Sequence, residues 1–368
     1  MPSETGPSID VFAEAEAVVD RFGPRAPGSD AERGVAEHAA ERLRALGREA
    51  DVEQFPVWPQ WAAAAAINAG VAIVGSVVSV SAAPLGAALV LAAAVLTVLD
   101  LSGVAPTTRR LLGRRASQNV ISWAGPGSPG TLVLAAHLDS PPRALTRAST
   151  LPRPLVAALL LVLVCCLLRV AGLDGFGLTL VQFVATVALI VAVALLIALA
   201  LADAGPGQND NASGVALALR LAERVTLERY ALAVVLTGSQ TATSQGMRAF
   251  LRRHRDRLAR DATVVVSLEA VGSGAVRFTR REGPLLPLRS HPQLVALCRE
   301  VAEDTPDGAA APTGRSAVSD AYAARSAGLA AITITGSDPS DRLDEDALAA
   351  AEAFSAELLA RIDALSGG

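Results

Sequence analysis

The chain has 368 residues, of which 51% are hydrophobic and only 4% aromatic, and its formal net charge is -4. A chain of this length can bury a sizeable core in one large domain or two ordinary ones. A mean hydropathy of +0.40, carried by Ala, Val and Leu, points to membrane-spanning segments, and the small negative charge gives no support to nucleic acid as a partner.

From the N-terminus, "MPSETGPSIDVFAEAEAVVD" is acidic and lacks the charged leader and apolar core of a cleaved signal peptide. "SDAERGVAEHAAERLRALG" predicts a helix with Ser29 as N-cap and Gly47 as its stop, and "EADVEQFPV" alternates like a strand. Two apolar runs follow, 62–83 and 85–99, separated by little more than Pro84. "QNVISWAG" and "GTLVLAAHL" then read as strands. A second pair of apolar runs covers 155–173, with Arg169 near its end, and 178–201. Each run approaches the roughly 20 residues that a bilayer core requires. Cys165 and Cys166 are adjacent within the third run and Cys298 is far away, which is neither a disulfide framework nor a CxxC zinc site.

The close pairing of these runs predicts two transmembrane hairpins, 61–101 and 153–201, inserted into one discontinuous α/β domain made of 1–60, 104–150 and 203–368. Buried core helices are the other reading of the shorter runs, but the remaining polar sequence offers little to cover four of them. Arg109, Arg110, Arg114, Arg115, Arg143, Arg147 and Arg153 lie between the hairpins, whereas the tips carry only Arg169. By the arginine bias of membrane loops, the soluble unit of this integral membrane protein faces the cytoplasm. Transport through the four segments would need more polar residues than they hold, chiefly Gln182.

After the last run, "YALAVVLTG", "ATVVVSLEAVG" and "AAITITG" read as strands and 215–225, 246–260, 292–301 and 344–364 as helices, with "RRHRDRLAR" a solvated helix face. Alternating helices and Val/Leu/Ala strands predict a three-layer α/β sandwich around a mostly parallel central sheet. Functional groups in such sheets gather at strand carboxyl ends. Those ends offer His137 and Asp139 in "AAHLDS", Asp210 in "GQNDNASG", Gln240 and Thr241 in "LTGSQTATSQG", Glu269 in "VSLEAVG" and Asp320 in "RSAVSDAY". An imidazole and two carboxylates on separate strand ends suit a divalent metal such as zinc, with the Asp139 carboxylate accepting the second ring N–H of His137. Singly, each has a structural reading: a hydrogen-bonded His-x-Asp pair, or an Asx turn at Asp210.

In their order these segments resemble the zinc aminopeptidases of peptidase family M28. "GPRAPGSDAERGVAEHAAERLRALGREADVEQFPV" is similar to the family's opening helix and strand, and "GPGQNDNASGVALAL" to its bridging-aspartate turn. "VVLTGSQTATSQGMRAFL", "ATVVVSLEAVG" and "SDAYAARSAGLAAITI" resemble its later site segments. The resemblance implies His137, Asp210 and Glu269 as ligands of one zinc, Asp139 as the group orienting His137, and Asn211, Asp320 and Tyr322 at the cleft. It also implies a damaged second half. The family's general base and second-metal glutamates fall at Gln240 and Thr241, and its final histidine has no counterpart, since the last histidine is His291.

Two readings of activity stay open. One is a membrane-embedded pseudopeptidase that keeps one zinc at most and binds a peptide or membrane-protein partner. The other is a single-metal aminopeptidase with a substitute base, for which Asp320 and Glu282 are candidates.

Overall fold

The computed structural model describes residues 8–123, 130–143, 151–304, 310–315 and 317–365. Arg147 and the last two residues of "QNVISWAG" lie outside them. Helices α1 (Val11–Phe22) and α2 (Asp30–Ala45) open the chain. The Ser29 hydroxyl accepts from the Glu32 N–H, as expected of an N-cap, and the chain turns off α2 through Gly47 at φ 76°. Strands β1 (Asp51–Val57), β2 (Arg115–Ser122) and β3 (Gly130–His137) follow, with α3 (Trp61–Val78) and α4 (Ala83–Leu101) between the first two. After β3 come α5 (Pro152–Val170) and α6 (Phe176–Ala200), then α7 (Gly214–Arg224), β4 (Tyr230–Thr237), α8 (Gln245–Arg253) and β5 (Thr263–Glu269). The chain closes with β6 (Val276–Glu282), β7 (Leu288–Arg289), α9 (Pro292–Asp304), β8 (Ala311–Arg315), α10 (Asp320–Ser326), β9 (Ala330–Gly336) and α11 (Glu345–Leu365).

Among the described residues the strands form one sheet in the order β1-β2-β4-β3-β5-β9-β6-β7, with β8 on β6. Parallel pairing runs through its centre, β4-β3-β5-β9, and also joins β8 to β6. Antiparallel pairing at β1/β2, β2/β4, β9/β6 and β6/β7 flanks these, so the sheet is mixed, with the expected parallel strands at its centre. Alternate side chains leave opposite faces of a strand. Leu132, Leu134 and Ala136 pack with α1, α2, α7, α9 and α11, while Val133 and Ala135 pack with α8 and α10. Those two helix layers complete the sandwich.

The four apolar helices α3 to α6 are long and apolar enough to cross a membrane. They pack on one another around a core of their own, including Ala65, Val90, Leu159 and Leu189, apart from the two cores of the sheet. The second helix is a full 19 residues because Pro84 sits in its first turn, where a proline costs no hydrogen bond. Close packing of α3 on α4 needs Gly86, since a Cβ there would lie 2.5 Å from the Gly75 carbonyl oxygen. Gln182 does not face a conducting path: its amide donates to Ser76 O, at 2.8 Å, and to the Ser79 hydroxyl, at 2.9 Å, while its oxygen accepts from Arg169. Helix α8 stops at Arg253, short of the expected 260, as His254 turns onto Trp123 and Phe250 and meets Glu53. "RRHRDRLAR" is thus only partly a helix face.

Candidate active site

Parallel register brings the carboxyl ends of the central strands side by side: His137 of β3 pairs with Thr237 of β4, and Glu269 of β5 with Thr335 of β9. The turn before α7 carries Asp210 to the same edge. Its two asparagines hold it there. Asn209 accepts from Gly272 N–H at 2.8 Å and donates to Ser340 O at 2.9 Å. Asn211 donates to Leu268 O and accepts from Ala270 N–H, at 2.9 and 3.0 Å, so it laces the turn to the end of β5. Asp341 accepts from the N–H groups of Gly207 and Asn209, both at 2.9 Å. Arg25 donates to the carbonyls of Leu138, Pro206 and Gly207 from a buried position. Between two buried asparagines, the Asp210 side chain keeps 31% of its surface exposed.

His137 is buried, and both of its ring nitrogens face acceptors: Nδ1 the Asp139 carbonyl at 2.9 Å, Nε2 the Asp210 carboxylate at 3.0 Å. Burial alone would lower its pKa, but hydrogen bonds and charge from Asp139 and Asp210 outweigh it and hold the imidazole well above its usual value. The Asp139 carboxylate is 3.5 Å from Nδ1, so the backbone carbonyl takes the ring N–H in its place. That carboxylate is turned to the next strand end. It accepts from Gln240 N–H and Thr241 N–H, both at 2.9 Å, and from the Thr241 hydroxyl at 2.6 Å. Burial opposes its ionisation, yet these bonds and His137 keep its pKa below the usual carboxylate value.

Gln240, at the expected place of the base, donates through Nε2 to Glu269 Oε1 at 3.1 Å and to Val318 O at 2.7 Å. Glu269 also accepts from the Asp320 N–H and the Ser267 hydroxyl, both at 3.2 Å. Asp210, Gln240, Thr241 and Glu269 all line one cavity of about 1110 Å³.

Three expected cleft residues are elsewhere. Asn211 is buried in its clamp, Asp320 lies beneath the floor accepting from the Thr237 hydroxyl at 2.6 Å, and Tyr322 is buried against Gly283. Burial and the nearby Glu269 raise the Asp320 pKa to about 7, but its carboxylate is fully enclosed and does not line the cavity. Glu282, the other substitute base, is buried and accepts from the Thr333 hydroxyl at 3.0 Å. Neither is positioned to take a proton from a molecule in the cavity.

The donor set tests the expected zinc. Two ligands of one ion at about 2.0–2.1 Å stand roughly 3 Å apart, which His137 and Asp210 satisfy. Catalytic zinc takes three protein ligands. Among the described residues no group of three or more His, Cys, Asp and Glu side chains could hold a metal ion, and Glu269 is engaged by the Gln240 amide instead. The residues present therefore do not fit the family's zinc.

Sequence reasoning missed the supports. The stretch after β4 holds Ser239, Thr243 and Ser244 at positive φ (55°, 78° and 50°), a backbone region costly for residues with a Cβ. It is pinned at one end by buried Glu32, which accepts from Ser239 N–H at 2.7 Å. At the other end the buried Arg109 donates to Ala242 O and the Thr243 hydroxyl, at 3.2 and 3.1 Å. Arg109 in turn rests on Asp100, near the end of α4. For Glu32, the signal was an acid three residues after an N-cap serine; Arg25, in "GPRAP", and Asp341, among many acids, carried none.

Residues 182–358 match the sequence profile described as Peptidase family M28. No curated protein matches the chain in sequence. Solved structures of similar fold include the following three. A zinc aminopeptidase from Bacillus subtilis is 13% identical, with 95% of this chain and 93% of that one covered and a TM-score of 0.54. A leucine aminopeptidase precursor from Bacteroides thetaiotaomicron is 16% identical, covering 96% and 97%, with a TM-score of 0.53. Tannerella forsythia glutaminyl cyclase is 15% identical, covering 96% and 98%, with a TM-score of 0.54. At these identities the likeness shows a shared fold.

Proposed function

We propose that the chain is a membrane-anchored member of peptidase family M28, whose profile matches residues 182–358, and that it binds peptide N-termini in its cavity without hydrolysing them. One observation carries this reading: the base position is an amide fixed as a donor. Gln240 holds Glu269 and Val318 O through its Nε2. A glutamine has no proton-accepting group of useful basicity, which forfeits a contribution of roughly 10²- to 10⁴-fold. Beside it, the Thr241 hydroxyl donates to Asp139. No histidine follows β9.

Anchoring is supported by the outer surface of the helix bundle, where Val77, Phe183 and Leu160 are 66%, 63% and 50% exposed. Such a continuous apolar surface suits lipid and not water. The cytoplasmic side rests on the arginines between the two helix pairs, among them Arg109, Arg110, Arg114 and Arg115, against Arg169 alone at the tips.

A second reading, a single-metal aminopeptidase, is favoured by the 3.0 Å approach of His137 to Asp210. It would show about one equivalent of bound zinc that His137→Ala removes. The paired change Gln240→Glu and Thr241→Glu tests the leading reading. Restoring both carboxylates is expected to leave aminoacyl hydrolysis at background, because the last ligand is still missing. A gain of about 10²-fold or more would mean that the rest of the machinery is intact.

A further inference from the structure

Resting on the membrane-anchored, non-hydrolysing reading above, we propose that the cavity's ligand is the free N-terminus of a polypeptide that is itself inserted in the bilayer. The cavity is not confined to the strand ends. Its lining runs from Asp210, Gln240 and Glu269 to Trp61, Leu101 and Pro152, which are the first residue of α3, the last of α4 and the first of α5. Those three helix ends lie where the candidate spans meet the α/β body. A ligand filling this space has one end at the floor beside Asp210 and the other at the mouth of the bundle, at the height where a spanning chain leaves the lipid.

Size and charge narrow the occupant. At about 1110 Å³ the cavity stands at the upper end of the roughly 300–1,000 Å³ of ligand pockets, with room for several residues of chain. An extended chain needs only about 3.3–3.6 Å per residue. Its lining carries four acids, Asp210, Glu269, Asp338 and Asp341, against two cations, Arg143 and Arg277. A concave site with that balance attracts an ammonium and repels a phosphate headgroup. Extended polypeptide with a free amine satisfies both features. Anchoring of the ligand in the same bilayer confines it near the mouth and raises its effective concentration, worth about 10²- to 10⁴-fold in apparent affinity for linked partners of suitable reach.

The full chain in lipid nanodiscs tests this directly. The probe is a single-pass Leu/Ala helix with a short free-amine extension on the side of the α/β domain, bearing a photoreactive group on its first residue. Labelling of the 335–341 segment is expected, and N-acetylation of the probe should weaken it about tenfold. The same extension as a soluble peptide should need about 10²-fold more probe. Ala317→Trp, which places bulk in the lining, should abolish labelling with the thermal transition retained.

Equal labelling by soluble and anchored probes, or no effect of acetylation, overturns the proposal. Competition by an aminophospholipid photoprobe that labels the same segment would overturn it in favour of a lipid. Failure of the underlying reading is seen separately: release of the chain from membranes by alkaline carbonate removes the anchor, and shortening of the soluble peptide shows hydrolysis.

Discussion

Replacing Asn211 by alanine should cost more than any change at Asp210, although only Asp210 faces the cavity. The asparagine side chain closes two buried hydrogen bonds to the end of β5, and its loss leaves Leu268 O and Ala270 N–H without that partner. About 2–3 kcal/mol of stability should go, read as a lower thermal midpoint, whereas Asp210→Asn should stay within about 1 kcal/mol. Glu32 sets a pH dependence. Burial, with the nearby Asp139, raises its pKa from near 4.5 to about 8, against hydrogen bonds that lower it. The folded state thus prefers the neutral acid. Its stability contribution is full below the unfolded pKa and is lost as pH rises from about 4.5 through about 8. Melting temperature should fall across that range, and Glu32→Gln should flatten the slope while lowering the midpoint; a rising profile would contradict this. The turn chemistry of "QNDNAS" was legible in the sequence, but not the partners of its asparagines, because they are backbone groups 57 to 131 residues away.

Between helices and strands, the joint is Asp100 with Arg109. Asp100 Oδ1 accepts from Thr107 N–H and Arg109 Nε, at 2.7 and 3.2 Å, and Oδ2 from Thr108 N–H at 3.1 Å. Arg109 carries that joint on to the positive-φ stretch at Ala242 and Thr243. Arg109→Met strands a buried carboxylate and should cost about 3–5 kcal/mol, with faster amide exchange at 239–244. Adding Asp100→Leu should recover stability and leave the exchange fast, because the bonds that Arg109 gives to Ala242 and Thr243 are missing from both variants. Fast exchange that the second change reverses would contradict that assignment. Long apolar elements were legible: four runs became α3 to α6, and "VVLTG", "VVVSLE" and "ITITG" became central strands. Strands β6, β7 and β8 were not, since "VRFTRRE", "LR" and "APTGR" are charged or too short to show a period of two and exist by pairing with β9 and with each other.

At the scale of the molecule, the proposed reading is of a family site kept in outline at the strand ends without its proton acceptor and last ligand. The sequence made that loss legible residue by residue at Gln240 and Thr241, because aligned positions need no coordinates. It could not show that Gln240 would occupy Glu269, or that Asp139 would be taken up by the 240–241 backbone, since both depend on how far apart the strand ends stand. Together these contacts make a hydrogen-bonded floor beneath a cavity that reaches the apolar helices. The most direct test is aminoacyl hydrolysis by the full chain in nanodiscs with zinc added, wild type beside Asp210→Ala. No turnover above the Asp210→Ala background is expected, whereas turnover that Asp210→Ala abolishes would contradict a domain that binds without cutting.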